Sequence, residues 1–127
     1  MGHYYIYLGK EKGKRVVYKT GQTVRDCYLR CKNADYQIGV AIDIDIDGHD
    51  FKYDWYKKYY LDDIEQDIIR YFADRFPVEH GREYFRVKKH NWDMVKELWL
   101  NEMINILDKY DFNYTIHEGW VSKENYY

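Results

Sequence analysis

Hydrophobic and polar positions along the chain follow two periods, one close to 2 and one close to 3.6. Residues 4–8 and 15–19 are short β-branched and aromatic runs separated by the polar stretch Gly9-Lys10-Glu11-Lys12-Gly13-Lys14. That pattern predicts an antiparallel hairpin. Gly21 is expected to break the second strand, and Thr23 to cap a helix over 24–33 whose apolar side carries Val24, Cys27, Tyr28 and Cys31. Over residues 36–47, Ile42, Ile44 and Ile46 alternate with Asp43, Asp45 and Asp47, which predicts a third strand with an acidic face.

The helical period then takes over. Leu61, Ile64, Ile68, Ile69, Phe72 and Phe76 recur at helical spacing, and Pro77 ends the run, so a second helix is expected over 61–75. Residues 83–87 can add a strand. Asn91 is placed to start a last amphipathic helix carrying Trp92, Val95, Leu98, Trp99, Ile106 and Leu107. Residues 113–127 are polar and aromatic, open to a strand, a docked arm or disorder. The expected class is α+β: a hairpin and a third strand flanked by helices, in residues 1–90, with a C-terminal helix and aromatic tail, 91–127, packed on the same domain.

Composition sharpens this picture. The chain has 127 residues, 46% hydrophobic and 20% aromatic, with sixteen tyrosines and a single proline. Such a chain builds a core, and collagen-like or disordered classes are set aside. No apolar run is long enough to span a bilayer and the N-terminus lacks a secretion-signal pattern, so a soluble intracellular protein is expected. Cys27 and Cys31 are too few for a zinc site and read as reduced packing thiols.

The net charge of −2 argues against a simple basic nucleic-acid binder, but the charge is segregated. Residues 1–34 hold eight Lys and Arg against two acids, whereas 35–65 hold three against nine. Residues 66–90 return to six against four, and 91–127 fall to three against seven.

Glu65 is the most informative single position. At ~100° per residue it falls within about 60° of Leu61, Ile68, Ile69, Phe72 and Phe76, so it interrupts an apolar stripe. A carboxylate there must be paired, metal-bound, neutralised or able to reach solvent. Arg30 lies toward the flank of the first helix's apolar side and by periodicity alone reads as solvent-facing. Asp43, Asp45, Asp47 and Gly48, with Asp54 in the twelfth place, match the opening of a calcium loop. The intervening isoleucines favour a strand, and calcium binding is the weakest of the readings.

The order of the pieces resembles a known family. Tyr5-Ile6-Tyr7, then Val17-Tyr18-Lys19-Thr20-Gly21-Gln22-Thr23, then Arg30 and Glu65, resembles the GIY-YIG nuclease domain. It is most similar to the branch common in phage and mobile-element proteins, whose second motif reads Lys-Ile-Gly-x-Thr. Ile64-Glu65 and Gly81-Arg82-Glu83-Tyr84-Phe85 resemble that branch's Leu-Glu helix and Gly-x-Glu-Trp-Phe segment, so the likeness spans residues 4–87. Tyr5 stands where the family has glycine, and Thr20 where it has isoleucine.

The resemblance implies a DNA endonuclease, with RNA also open as a substrate. Arg30 would bind the scissile phosphate and Glu65 would hold one Mg²⁺ or Mn²⁺. Tyr7 would serve as general base with Lys19 beside it. Because Tyr18 and Lys19 alternate sides of a strand, Lys19 is expected to face the site and Tyr18 to pack or support it. Tyr18, Gly21, Gln22, Lys14 and Arg15 complete the expected substrate-binding set, and Glu83, Tyr84 and Phe85 are expected mainly to pack. The alternative is a weak or inactive module of this fold that binds nucleic acid or a protein partner. The C-terminal helix is expected on the sheet, with a homodimer contact as its other use.

Overall fold

The computed structural model describes residues 3–48, 51, 53, 55–125 and 127. Its elements are β1 (Tyr5–Glu11), β2 (Val17–Thr23), α1 (Cys27–Cys31), β3 (Tyr36–Ile44), α2 (Trp55–Ala73), β4 (Val78–His80), β5 (Tyr84–Arg86), α3 (Trp92–Tyr110) and β6 (Tyr114–Glu118). The strands form one antiparallel sheet in the order β4-β5-β2-β1-β3-β6. The class is α+β, as the sequence periods predict, although the sheet has six strands among the described residues.

Alternation along the central strands divides the core between the two faces. Ile6, Leu8, Tyr18, Val40, Ile42 and Ile44 point to one face, where α2 brings Leu61, Ile64, Ile68 and Phe72 and α3 brings Val95, Trp99, Met103 and Ile106. Tyr5, Tyr7, Tyr36, Ile38 and Ala41 point to the other, where Cys27 and Cys31 of α1 and Val121 of the tail cover them. Both thiols are buried and free, which meets the expectation of packing cysteines.

Several boundaries differ from the sequence expectation. Gly21 does not break β2; it lies within the strand opposite Tyr7. The first helix is a five-residue turn capped by Asp26, whose carboxylate accepts from the Leu29 amide at 2.8 Å. Thr23 instead closes a local turn, its hydroxyl accepting from the Arg25 amide at 3.0 Å, and Val24 is exposed. The acidic strand stops at Ile44, and α2 begins six residues earlier than expected, at Trp55. The tail forms β6 on the β3 edge and runs on so that Tyr127 reaches α1, its carbonyl accepting from the Cys27 amide. No helix among the described residues is long and apolar enough to cross a membrane.

Candidate active site

Two glycines make room for the central aromatic cluster. A Cβ on Gly21 would lie 2.6 Å from the Tyr7 hydroxyl, and one on Gly9 would lie 2.7 Å from the Gln37 carbonyl oxygen and 3.3 Å from the Tyr36 ring. Lacking both, the strands let the two tyrosine rings stack at 5.7 Å with their hydroxyls hydrogen-bonded at 2.9 Å.

Lys19, paired with Gly9 on one side and Tyr84 on the other, enters the same cluster. Its ammonium stands 4.0 Å from the centre of the Tyr36 ring, 5.8 Å from that of Tyr7 and 3.6 Å from the Glu83 carboxylate. Arg30, exposed on α1, holds its guanidinium 5.9 Å from the Tyr36 ring. Tyr7, Lys19 and Arg30 are therefore close together on one face, as the sequence expects.

Burial governs their charge states. It pushes the Tyr7 phenol far above the ordinary tyrosine range, the Tyr36 hydroxyl adds to the rise, and Arg30 opposes it. Lys19 is only 6% exposed, and burial lowers its pKa against the pull of Glu83. The cation that favours a Tyr7 phenolate is thus Arg30, whereas Lys19 was expected to do so.

Glu65 is 8% exposed on α2, the helix that covers the Tyr18 face of the sheet and not the Tyr7 face. Gln22, three positions beyond Lys19 on β2, reaches it. Gln22 donates to its Oε1 at 3.3 Å and to Asp62 Oδ1 at 2.5 Å, while Lys58 donates to Gln22 Oε1 at 2.8 Å. Burial raises the Glu65 pKa, the Gln22 hydrogen bond opposes this, and the Glu83 and Asp62 carboxylates raise it further. Glu83 therefore acts on both halves of the site, on Lys19 by contact and on Glu65 through its field. Asp62 and Glu83 act on Glu65 through their charge and do not converge with it as a set of metal ligands, so Glu65 is the one carboxylate of this group that the sequence and the burial single out.

The remaining candidates separate. Tyr18 packs, as strand alternation expects, and so stands apart from the substrate-binding set in which it was also placed: it is buried on the opposite face and stacks on Trp92 at 6.2 Å. Gly21 acts by the space it leaves for Tyr7. Lys14 and Arg15 are exposed at the hairpin tip, four to five residues from Lys19, or roughly 15 Å along the strand. They are not brought into the cluster. Tyr36 was missed by sequence reasoning because only the β1–β3 pairing carries its ring over Gly9, and Glu83 contributes more than packing.

Asp43, Asp45 and Asp47 do not converge as calcium ligands. Asp43 accepts from His3 and from the Tyr4 amide, Asp45 from the Gly48 amide, and Asp47 from the Tyr4 hydroxyl and Lys57. Asp54 lies outside the described residues. The two departures from the family motif are accommodated differently. Tyr5 is buried against α1 and the tail. The Thr20 hydroxyl donates to the Tyr7 carbonyl at 2.9 Å and accepts from the Trp99 indole at 3.0 Å, so a polar residue in an apolar layer is fully used. Comparison with protein-family models, curated proteins and solved structures finds no match.

Proposed function

We propose that the protein is a GIY-YIG-type endonuclease that hydrolyses phosphodiester bonds in DNA. The observation that carries this reading is the meeting of Tyr7, Lys19 and Arg30 on one face of the sheet, with the buried carboxylate of Glu65, on α2, held by Gln22 of the same strand as Lys19.

Phosphodiester hydrolysis needs stabilisation of charge on the phosphate oxygens, an oriented water and a group to take its proton. Arg30, exposed on α1, donates a planar fork to the nonbridging oxygens. Lys19 adds positive charge beneath that fork. Tyr7 would accept the water's proton as the phenolate, a form favoured by Arg30 and opposed by burial, so its own proton has to leave first. Glu65 would hold one Mg²⁺ or Mn²⁺, which when bound supplies charge neutralisation at the phosphate and the leaving 3′ oxygen.

The protonated state that burial imposes on Tyr7 favours a second reading, a module that binds nucleic acid or a protein partner without cutting. Supercoiled plasmid and single-stranded RNA incubated with Mg²⁺ or Mn²⁺ decide between them. Nicking is expected, and Glu65→Ala and Arg30→Ala should each lower its rate by at least ~100-fold with unchanged circular dichroism. Intact substrates with both metals would defeat the nuclease reading, and retained binding under those conditions would select the module.

A further inference from the structure

We propose that Glu11, Asp35 and His80 form a binding site for a divalent transition-metal cation of the Zn²⁺ class. The three residues come from the end of β1, the segment before β3 and the end of β4. One ligand atom from each lies within 4.8 Å of the others, and among the described residues no other trio of His, Cys, Asp or Glu meets this spacing. This inference is independent of the nuclease reading, which concerns Glu65.

The convergence is built by the fold. Pairing of Glu11 with Tyr36 brings Asp35 alongside β1, and the Lys12 amide donates to the Asp35 carbonyl at 2.8 Å. His80 Nε2 meets Glu11 Oε1 at 2.9 Å.

A second observation points to a ligand. The Glu11 side chain is 11% exposed, and its Oε2 is fully buried with no hydrogen-bond partner. The His80 contact satisfies one oxygen and leaves the other stripped of water, an arrangement that a simple ion pair does not require. A cation held by the Glu11 carboxylate, Asp35 and the imidazole, in exchange for the His80–Glu11 hydrogen bond, would supply what is missing. Tetrahedral Zn²⁺ with bonds near ~2.1 Å holds its donors about 3.4 Å apart, so the three groups need only small side-chain movements.

The surroundings and donor types fit the same class. Tyr84 donates to Asp35 Oδ1 at 2.7 Å and stacks on the His80 ring at 4.0 Å, so one side chain orients two of the three ligands. One imidazole and two carboxylates suit Zn²⁺ better than Ca²⁺ or Mg²⁺, which prefer all-oxygen shells. Three ligands and an exposed His80 leave one position open to water or to a ligand from solution.

The test is calorimetric titration of the full chain with ZnCl₂, paired with visible spectroscopy of the Co²⁺ form. One ion per chain should bind at this site, His80→Ala and Glu11→Gln should each weaken it at least tenfold, and Glu65→Ala should leave the affinity of this site unchanged. The Co²⁺ spectrum should show ligand-field bands without thiolate charge transfer. Absence of saturable binding, affinity indifferent to His80→Ala, or a thiolate signature from Cys27 and Cys31 would overturn the assignment. Because His80 is 46% exposed, its replacement preserves the fold and keeps the test decisive if Glu11→Gln does not.

Discussion

Burial and the neighbouring Glu83 and Asp62 carboxylates hold the Glu65 pKa above that of an unfolded chain, so its ionised form destabilises the native state. The sign follows from the raised value. The native state is relatively favoured below the unfolded pKa and loses that advantage as pH rises through the folded one. Glu65→Gln should therefore melt at a higher temperature than the parent at pH 7.5, with the gap closing toward pH 4, as scanning calorimetry would show. Equal melting temperatures at pH 7.5 would mean that Gln22 and Lys58 offset the burial. The same residue was legible in the sequence, because a carboxylate inside an apolar helical stripe is conspicuous. Lys19 was legible too, since strand alternation allows only one of Tyr18 and Lys19 to face Tyr7. Thr20 was not: its hydroxyl makes sense only against the Trp99 indole, 79 positions along the chain.

Among the elements, α1 holds Arg30 by very little. Five residues form barely more than one turn, and such a helix has no stability of its own. Its Asp26 cap and the bond from the Cys27 amide to the Tyr127 carbonyl fix its start. Asp26→Ala should cost about 1 kcal/mol locally. Hydrogen exchange should then quicken at Leu29 and Arg30 while the α2 amides keep their protection, and nicking should slow. The longer helices could be placed because each offers a sustained apolar stripe and a clear stop or cap, as at Pro77 and Asn91. The edge strands could not. β4 is three residues long, and β6 presents mostly exposed side chains, so neither carries the alternation that reveals a half-buried strand. The position of α1 was misjudged because Thr23 and Asp26 are both good caps, and the β2 pairing that extends through Gly21 to Thr23 leaves the role to Asp26.

At the scale of the molecule, a net charge of −2 hides a division of labour. Arg30 and Lys19 gather beside Tyr36, whereas Asp43, Asp45 and Asp47 line a groove of about 410 Å³ on the β3–β6 side with Asn113 and Thr115. On the proposed nuclease reading, phosphate would approach the first region and be repelled by the second. With about two phosphate contacts, from Arg30 and Lys19, raising salt from ~50 to ~200 mM should weaken plasmid binding roughly 12-fold, measurable by fluorescence anisotropy. A flat salt response would show that charge does not hold the substrate.

The tail closes the molecule on itself. Trp92 at the start of α3 and Trp120 beyond β6 lie 4.3 Å apart, their rings filling the space above Gly39. Two indoles at that separation share their electronic transitions, and the pair exists only while the C-terminal arm is seated. The chain thereby carries an optical gauge, readable in near-ultraviolet dichroism, of whether its last residues are in place.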